Sequence, residues 1–583
     1  MKKDKFVLTY QTPMLIEKHR RKLLLSIMAF AIAAAITGFR KEVLKSGLPP
    51  KPPRPNIIVI LADDLGFSDI GSYGGEINTP NLDYMAKNGI RYTQFYNTSR
   101  CCPTRASLLT GLYNHQAGIG KMTDAEDQPG YLGHLSKNAV TLAEVLKNAG
   151  YNTAMSGKWH VSNTIGQKTK QEQMDWLNHH KEFGAFSPVD QYPTNRGFDK
   201  FFGTIWGVVD FFDPFSLVSG TKPITSVPKN YYHTDAINDT AVTYIKGFAK
   251  SKKPFFLYVA QNAPHWPLMA KPGDIAKYKS TYKGGWDAIR KARYDRMVKM
   301  GLIDSATTKL SERWKSDLTW ENNPDKEWDG EAMAVHAAMI DCMDQGIGRI
   351  INALKQTGQL DNTLIIFLSD NGASPENCAA YGPGFDRADE TRDGRKVIYA
   401  TKKQAMPGPQ TTYSSIGPRW ANVANTPYKL AKAESYEGGV HTPMIAFWPK
   451  GIKNKGGFNN SVGHVMDFMS TFIELAGANY PTRYKGNTIP PITGKSIAST
   501  FRGQRNGGHR ELFNEHFGAR YARMDNWKLV SQSNDSTWHL YDLAVDRSEN
   551  NDLAAANPDK VKLLSTKWQK WAKTHNVFPK PGN

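Results

Sequence analysis

Cysteine is scarce in this chain, four in 583 residues, too few to form a disulfide framework for a protein of this size. No repeat or low-complexity tract interrupts the sequence after residue 55, which leaves no sign of a repetitive architecture. Long apolar runs are missing too, apart from one near the N-terminus. Acidic residues are in deficit, 54 Asp and Glu against 74 Lys and Arg, for a formal charge of +20. That excess predicts attraction to anions without distinguishing nucleic acid, a membrane surface or small acidic substrates. What is present is 40% hydrophobic and 11% aromatic residues, ample for a large core, which excludes both a disordered chain and a stapled miniprotein.

Lys18, Arg20, Arg21 and Lys22 precede an apolar stretch at residues 23–39, the charged-then-apolar order of a secretory signal. At about 17 residues the stretch is marginal for crossing a bilayer. A small-residue site within 33–38 suits cleavage, and an uncleaved N-terminal membrane anchor is the alternative. Either reading predicts export, periplasmic or secreted. Pro49, Pro50, Pro52, Pro53 and Pro55 follow, a piece that cannot continue a helix and reads as an extended spacer. The expected organisation is a signal or anchor at 1–39, a linker at 40–55, a catalytic domain at 56–500 and a small C-terminal subdomain at 501–583.

Beyond the spacer, strands and helices alternate. Residues 56–62 (NIIVILA) form a continuous β-branched run, as expected of a strand covered on both faces. The pattern then predicts a helix at 81–88, a short strand at 90–96, a helix opening at Pro103, a helix at 141–148, a strand at 151–155, a helix at 235–248 and a strand at 254–260. A long helix at 331–354 leads to a strand at 363–368. Such alternation predicts an α/β fold, a large mixed and mostly parallel sheet sandwiched by helices, with ligands beyond the carboxyl ends of its strands. Near residue 500 the character changes. Residues 521–532 and 537–543 look like antiparallel strands and 558–573 like a closing amphipathic helix, together a small α+β subdomain.

The chemistry-bearing residues sit at the strand ends. Asp63-Asp64 closes the first strand and Asp370-Asn371 closes that at 363–368, four oxygen donors suited to a hard divalent cation such as Ca²⁺ or Mg²⁺. An Asp pair alone also serves as a cap or turn; two acidic strand ends on one sheet edge favour metal. Cys101, at a predicted helix N-terminus, stands where the dipole and free N–H groups stabilise an anion. The aromatic stretch at 206–215 reads equally as a ring-stacking surface or as loop core. Cys342 and Cys378 lie in no motif and read as free thiols or as a disulfide.

The run Cys101-Cys102-Pro103-Thr104-Arg105, with Leu109-Thr110-Gly111 behind it, resembles the Cys-x-Pro-x-Arg signature of type I sulfatases. These are the formylglycine-dependent arylsulfatases of the alkaline phosphatase-like superfamily. The register selects Cys101, because Cys102 is followed at once by proline. The resemblance extends to Asp63-Asp64-Leu65-Gly66, Gly157-Lys158-Trp159-His160, Ala263-Pro264-His265-Trp266-Pro267, Ser369-Asp370-Asn371-Gly372, and Lys432 before Glu437-Gly438-Gly439. Residues 277–350, Trp527-Lys528-Leu529-Val530 and Leu540-Tyr541-Asp542-Leu543 look like the bacterial arylsulfatase branch. Departures are Val161-Ser162, where Leu-Gly is usual, and Lys429, where Arg is frequent; the latter is expected to alter the rim of the sulfate pocket.

The resemblance implies an alkaline phosphatase-like fold and hydrolysis of aryl sulfates, with sulfated sugars as plausible natural substrates. It implies that a maturation enzyme acting on the unfolded chain converts Cys101 to formylglycine, whose hydrate attacks sulfur. One Ca²⁺ would be held by Asp63, Asp64, Asp370, Asn371 and the converted Cys101. Asp370 would take the nucleophile's proton, Lys158 and Lys432 would hold the sulfate oxygens, and Arg105 would orient the hydroxyls. His265 would protonate the leaving group and His160 would deprotonate the second hydroxyl to release sulfate. On this reading the positive charge needs no nucleic acid partner. Rival readings are a phosphatase or phosphonate monoester hydrolase on the same scaffold, and a non-enzymatic surface protein that binds anions.

Overall fold

Asn56–Ala62 (β1) is buried along its whole length because alternate side chains leave it on opposite faces and both faces are covered. Ile58, Ile60 and Ala62 enter one apolar cluster, and Ile57, Val59 and Leu61 enter another. Period-two alternation of apolar and polar residues therefore disappears, as the run NIIVILA anticipates. Each such Ile, Leu or Val contributes about 1.5–3 kcal/mol by burial.

The computed structural model describes residues 1, 4, 14–45, 54–314, 317–504, 506–533 and 535–577. Met1–Pro53 and Arg54–Asn583 are separate units. In the first, residues Met14–Lys45 form a helix that contains the apolar stretch and continues past Phe39 into the expected linker. Residues 46–53 of that linker lie outside the described residues. Among the described residues no helix is long and apolar enough to cross a membrane.

In the second unit β1 is joined by Ile90–Tyr92 (β2), Asn152–Gly157 (β3), Lys200–Thr204 (β4), Leu217–Ser219 (β5), Lys222–Pro223 (β6), Phe255–Ala260 (β7), Thr363–Ser369 (β8), Met444–Phe447 (β9) and Gly457–Asn459 (β10). They form a ten-stranded sheet in the order β10-β2-β9-β8-β1-β7-β3-β4-β5-β6. The central run from β8 to β4 is parallel throughout, whereas β9 is antiparallel to both its neighbours and β5 and β6 close the far edge antiparallel. Helices His233–Phe248 and Lys326–Gln356 cover one face through Ile237, Ala241, Ile245 and Ile347. Cys101–Thr110, Leu142–Asn148 and Asp467–Ala476 cover the other through Leu108, Leu146 and Phe472. This is the mixed, mostly parallel α/β sandwich expected.

Three local expectations are corrected. The helix expected at Pro103 begins at Cys101, because Arg100 is extended and forms its N-cap; Pro103 falls at the third helical position, where an N–H still has no intrahelical partner. The segment 90–96 is broken: β2 belongs to the large sheet, but Phe95–Tyr96 pairs with Gly463–His464 in another. Residues 521–532 are a hairpin, not one strand. Met524 pairs with Trp527 around Asp525, whose φ is 52°, the left-handed geometry that two-residue hairpin turns favour.

That hairpin belongs to a four-stranded antiparallel meander, Glu511–His516 (β11), Ala519–Met524 (β12), Trp527–Ser531 (β13) and His539–Asp542 (β14). Helix Pro558–Thr574 packs on it through Leu564, Trp568 and Trp571. Their cluster also takes in Tyr96, Tyr436 and Val440, so this sheet is built onto the segments flanking Lys432 and Cys101.

Candidate active site

Register brings the predicted site together. Ala62 pairs with Ser369, and Ala260 pairs with both Leu61 and Gly157, so Asp63 and Asp370 leave adjacent strands and Lys158 leaves β3, one strand further across β7, at the same edge. Backbone bonds lock the level: Asp370 N donates to Ala62 O at 3.1 Å and Lys158 N to Ala260 O at 2.8 Å. Gly157 has φ +107°, and a Cβ there would stand 1.9 Å from Ala260 O, so only glycine permits this approach. Asp64, Ser99 and His160 take left-handed backbone angles of 66°, 62° and 53°, strain that the surrounding structure must offset.

The carboxylates are held by buried cations. Arg105 donates through Nε and Nη2 to Asp370 Oδ2 at 3.1 and 2.7 Å, and through Nη1 to Lys158 O at 2.9 Å. Its donors thus grip the Asp370 carboxylate, where the resemblance implied that they orient hydroxyls at position 101. Lys158 Nζ lies 2.5 Å from Asp63 Oδ2. Lys432 Nζ contacts Asp64 Oδ2 at 2.9 Å, His265 Nε2 at 3.2 Å and Glu376 Oε2 at 3.4 Å. Asn371 Nδ2 donates to Asp64 Oδ1 at 2.6 Å. His265 Nδ1 donates to the Trp266 carbonyl at 2.5 Å, which leaves Nε2 as the lone-pair nitrogen facing Lys432.

Two acceptors stay unmatched: Asp63 Oδ1 and Asn371 Oδ1 are buried without a hydrogen-bond partner, a cost of about 1–3 kcal/mol each. Asp63, Asp64 and His265 bring ligand atoms within 4.8 Å of one another. Burial works to raise both strand-end carboxyls. Lys158, His265 and Arg105 nevertheless bring Asp63 below its usual range, while burial and the charge of Asp63 push Asp370 well above. Oxygen donors, orphaned acceptors and mutually repelling carboxyls fit a hard divalent cation.

Cys101 is the first residue of its wholly buried helix. Its thiol is drawn well below the usual range by a hydrogen bond from Cys102, helped against burial by His160 and Lys158. His160 Nε2 lies 3.2 Å from Cys102 Sγ, and burial pulls its imidazole down to about 4, so it is neutral at pH 7. The ring lies against Gly207, where a Cβ would stand 2.3 Å from His160 Cε1. Cys101, His160, His265 and Lys432 line a cavity of about 230 Å³ with Arg100 and Glu376.

Residues 55–478 match the Sulfatase family, and residues 430–575 match the family described as N-sulphoglucosamine sulphohydrolase, C-terminal. The chain belongs to the sulfatase family. An arylsulfatase of Klebsiella aerogenes is 34% identical over 463 residues, 76% of this chain and 92% of that protein. An uncharacterized sulfatase of Schizosaccharomyces pombe is 32% identical over 549 residues, 88% of this chain and 93% of that one. The solved structure of Ps i-CgsB, also solved in complex with k-i-k-neocarrahexaose, superposes with TM-score 0.62 at 24% identity, covering 90% of this sulfatase and 93% of that chain.

The rim of the sulfatase cavity was legible only in part. Trp206, Gly207 and Val208 line it, with Trp206 stacked on Phe385 at 6.0 Å, whereas Phe211 and Phe215 do not line it and are buried core. Lys429 does not line the cavity; its ammonium lies over the Tyr436 ring at 5.2 Å. Cys342 and Cys378 are free and buried. Sequence reasoning missed Glu376, which pairs with Arg100 at 3.1 Å and accepts from Trp266 Nε1 at 2.8 Å. Its only signal is its place on the loop that follows Asp370-Asn371.

Proposed function

We propose that this sulfatase hydrolyses sulfate esters of phenols and sugars, using formylglycine made from Cys101 and one bound Ca²⁺. One observation carries the reading. Cys101 opens a buried helix onto a cavity that it lines with His160, His265 and Lys432, and the last two join that cavity to the strand-end acids through Asp64, where Asp63 Oδ1 and Asn371 Oδ1 are left unmatched. Position 101 holds the unconverted cysteine, whose Sγ stands in for the formylglycine oxygens. Formylglycine, as its hydrate, supplies the nucleophilic oxygen. A calcium ion held by Asp63, Asp64, Asp370 and Asn371 supplies Lewis-acid stabilisation of negative charge on oxygen.

The chain's own residues do the rest. Lys158 and Lys432 bring buried positive charge to the ester's sulfate oxygens. Asp370, its carboxyl raised by burial, is the proton acceptor beside position 101, and Arg105 fixes which of its oxygens faces the site. His265 is the acid for the leaving oxygen in its imidazolium form, with the added proton on Nε2 beside Asp64, and Lys432 Nζ at 3.2 Å is the adjoining donor. His160, neutral because buried, is free to accept a proton at the end of the cycle. Trp206 and Trp266 supply apolar walls that keep water from the centre.

A sugar substrate is supported by the C-terminal family match and by the oligosaccharide named with the Ps i-CgsB complex. Export is proposed from the basic run and the apolar stretch behind it; fractionation and N-terminal sequencing of the secreted or membrane-bound form test it. The decisive experiment is mass spectrometry of the peptide containing Cys101 after expression beside a maturation enzyme, with turnover of an aryl sulfate, its phosphate and phosphonate analogues, and sulfated saccharides. Fully active protein with an unmodified thiol would refute the formylglycine reading, and faster phosphate or phosphonate turnover would overturn the sulfatase assignment of substrate.

A further inference from the structure

Cys102 has no role in this chemistry, yet it is buried beside its two most reactive side chains. Its Sγ lies 3.2 Å from His160 Nε2 and 3.9 Å from Met122 Sδ. The ligand atoms of Cys101, Cys102 and His160 all fall within 4.8 Å of one another, and the three residues are buried. His160 Nδ1 has no hydrogen-bond partner, so nothing else in the described residues dictates which ring nitrogen carries the proton. Cys101 and His160 face the cavity and Cys102 lies behind them.

We propose that, in a folded chain whose Cys101 has not been converted, these three side chains form a Zn²⁺ site, two thiolates and an imidazole nitrogen with the fourth position open to the cavity. Two sulfurs and a nitrogen are soft donors, unlike the oxygen set at Asp63 and Asp370, so the two neighbouring sites select different cations. Two cysteines and a histidine with an open position is a known donor set for zinc. From bond lengths of about 2.0 Å to nitrogen and 2.3 Å to sulfur, tetrahedral ligands stand about 3.5 Å apart, so His160 and Cys102 need separate by only a few tenths of an ångström. The nearby cations do not oppose the metal outright, because Lys158 is paired with Asp63 and Arg105 with Asp370. Binding releases the Cys102 thiol proton to solvent while His160 binds as the neutral ring, so affinity rises with pH. Conversion of Cys101 removes one of the two sulfurs and abolishes the site. That second half rests on the formylglycine reading; the first does not.

The test uses the full chain made without a maturation enzyme, stripped of metal and held in saturating Ca²⁺. Titration with Co²⁺ is expected to give one bound ion per chain with a sulfur-to-cobalt charge-transfer band in the near ultraviolet, displaced by one equivalent of Zn²⁺. Cys102→Ala should lower the band by half or more and weaken Zn²⁺ binding by more than about 100-fold, the upper range for losing a mere supporting contact. Cobalt bound without that band, or a band that keeps its full intensity in Cys102→Ala, overturns the proposal. Should Cys102→Ala fold poorly, protection of Cys101 and Cys102 from alkylation by Zn²⁺, read by peptide mass spectrometry, decides instead; full labelling in saturating Zn²⁺ overturns it. The same spectra report conversion of Cys101 separately, so converted chains that keep the band would sink the second half and leave the first standing.

Discussion

Two clusters of buried charge lie five residues apart along the chain, one around Lys432 and the other around Glu437. At the strand ends Asp63, Asp64 and Asp370 meet Arg105, Lys158 and Lys432. Against the C-terminal sheet Lys528 contacts Glu437 at 2.7 Å and Glu549 at 2.8 Å, Tyr96 donates to Glu437 at 2.8 Å, and Arg523 Nη1 donates to the Tyr96 oxygen at 2.7 Å. Both clusters split their carboxyls, lowering Asp63 and Glu437 and raising Asp370 and Glu549. They differ in what they face. The first borders a cavity through Lys432; the second is sealed under Tyr96, Tyr521 and Val440, and each keeps unmatched acceptors, Asp63 Oδ1 and Asn371 Oδ1 in the first and Glu549 Oε1 in the second. Buried charge therefore does not by itself mark a site, and buried ion pairs are weak evidence for stability as well. Access from an open cavity is what separates the first cluster from the second.

If that distinction holds, the two clusters respond oppositely to mutation. Asp370→Ala should lower kcat/KM on an aryl sulfate by about 10³-fold or more with the circular dichroism spectrum unchanged; retained full activity would sink the mechanism. Lys528→Ala should do the reverse, lowering unfolding free energy by about 3–5 kcal/mol by stranding Glu437 and Glu549, while the folded fraction keeps near-normal KM. A Lys528→Ala protein of normal stability but no activity would erase the comparison. Calcium sharpens it further. A hundred-fold excess over Kd should stabilise the wild type by about 2.7 kcal/mol, read as a rise in Tm, and this rise should vanish in Asp63→Asn but persist in Lys528→Ala.

Legibility followed chain locality. The strand-end acids were readable because each directly follows an apolar run, NIIVILA before Asp63 and TLIIFLS before Asp370, and parallel pairing then brings such ends together. Cys101 was readable because its whole motif is contiguous. Glu376 was not, because its role comes from contacts with Arg100, Trp266 and Lys432 on three other segments. The start of the Cys101 helix was misplaced because Arg100 offers no capping side chain, the usual sequence sign of an N-terminus. The hairpin at Asp525 was missed because buried residues continue on both sides of a two-residue turn.

The smallest expected effect concerns pH and separates the clusters by a measurement without substrate. Burial and the charge of Glu437 raise the Glu549 carboxyl from 4.5 to about 7, despite Lys528. Its folded value is thus above its unfolded one, so the folded state keeps a proton that the unfolded chain gives up. Stability from this group is full below about pH 4.5 and falls as pH rises through the folded value near 7, by about 3 kcal/mol at most at 1.36 kcal/mol per unit. Glu437, lowered, acts only on the acid side of that window and does not cancel the slope. Asp210, Asp344 and Asp386, each raised to about 6 chiefly by burial, slope the same way, so the readout is the difference between two profiles. Glu549→Gln, which mimics the protonated form, should match the wild type at about pH 5 and exceed its unfolding free energy by about 1–3 kcal/mol at about pH 8. Parallel profiles would mean that the sealed cluster carries no titrating carboxyl, and that only the cavity-facing one is electrostatically poised.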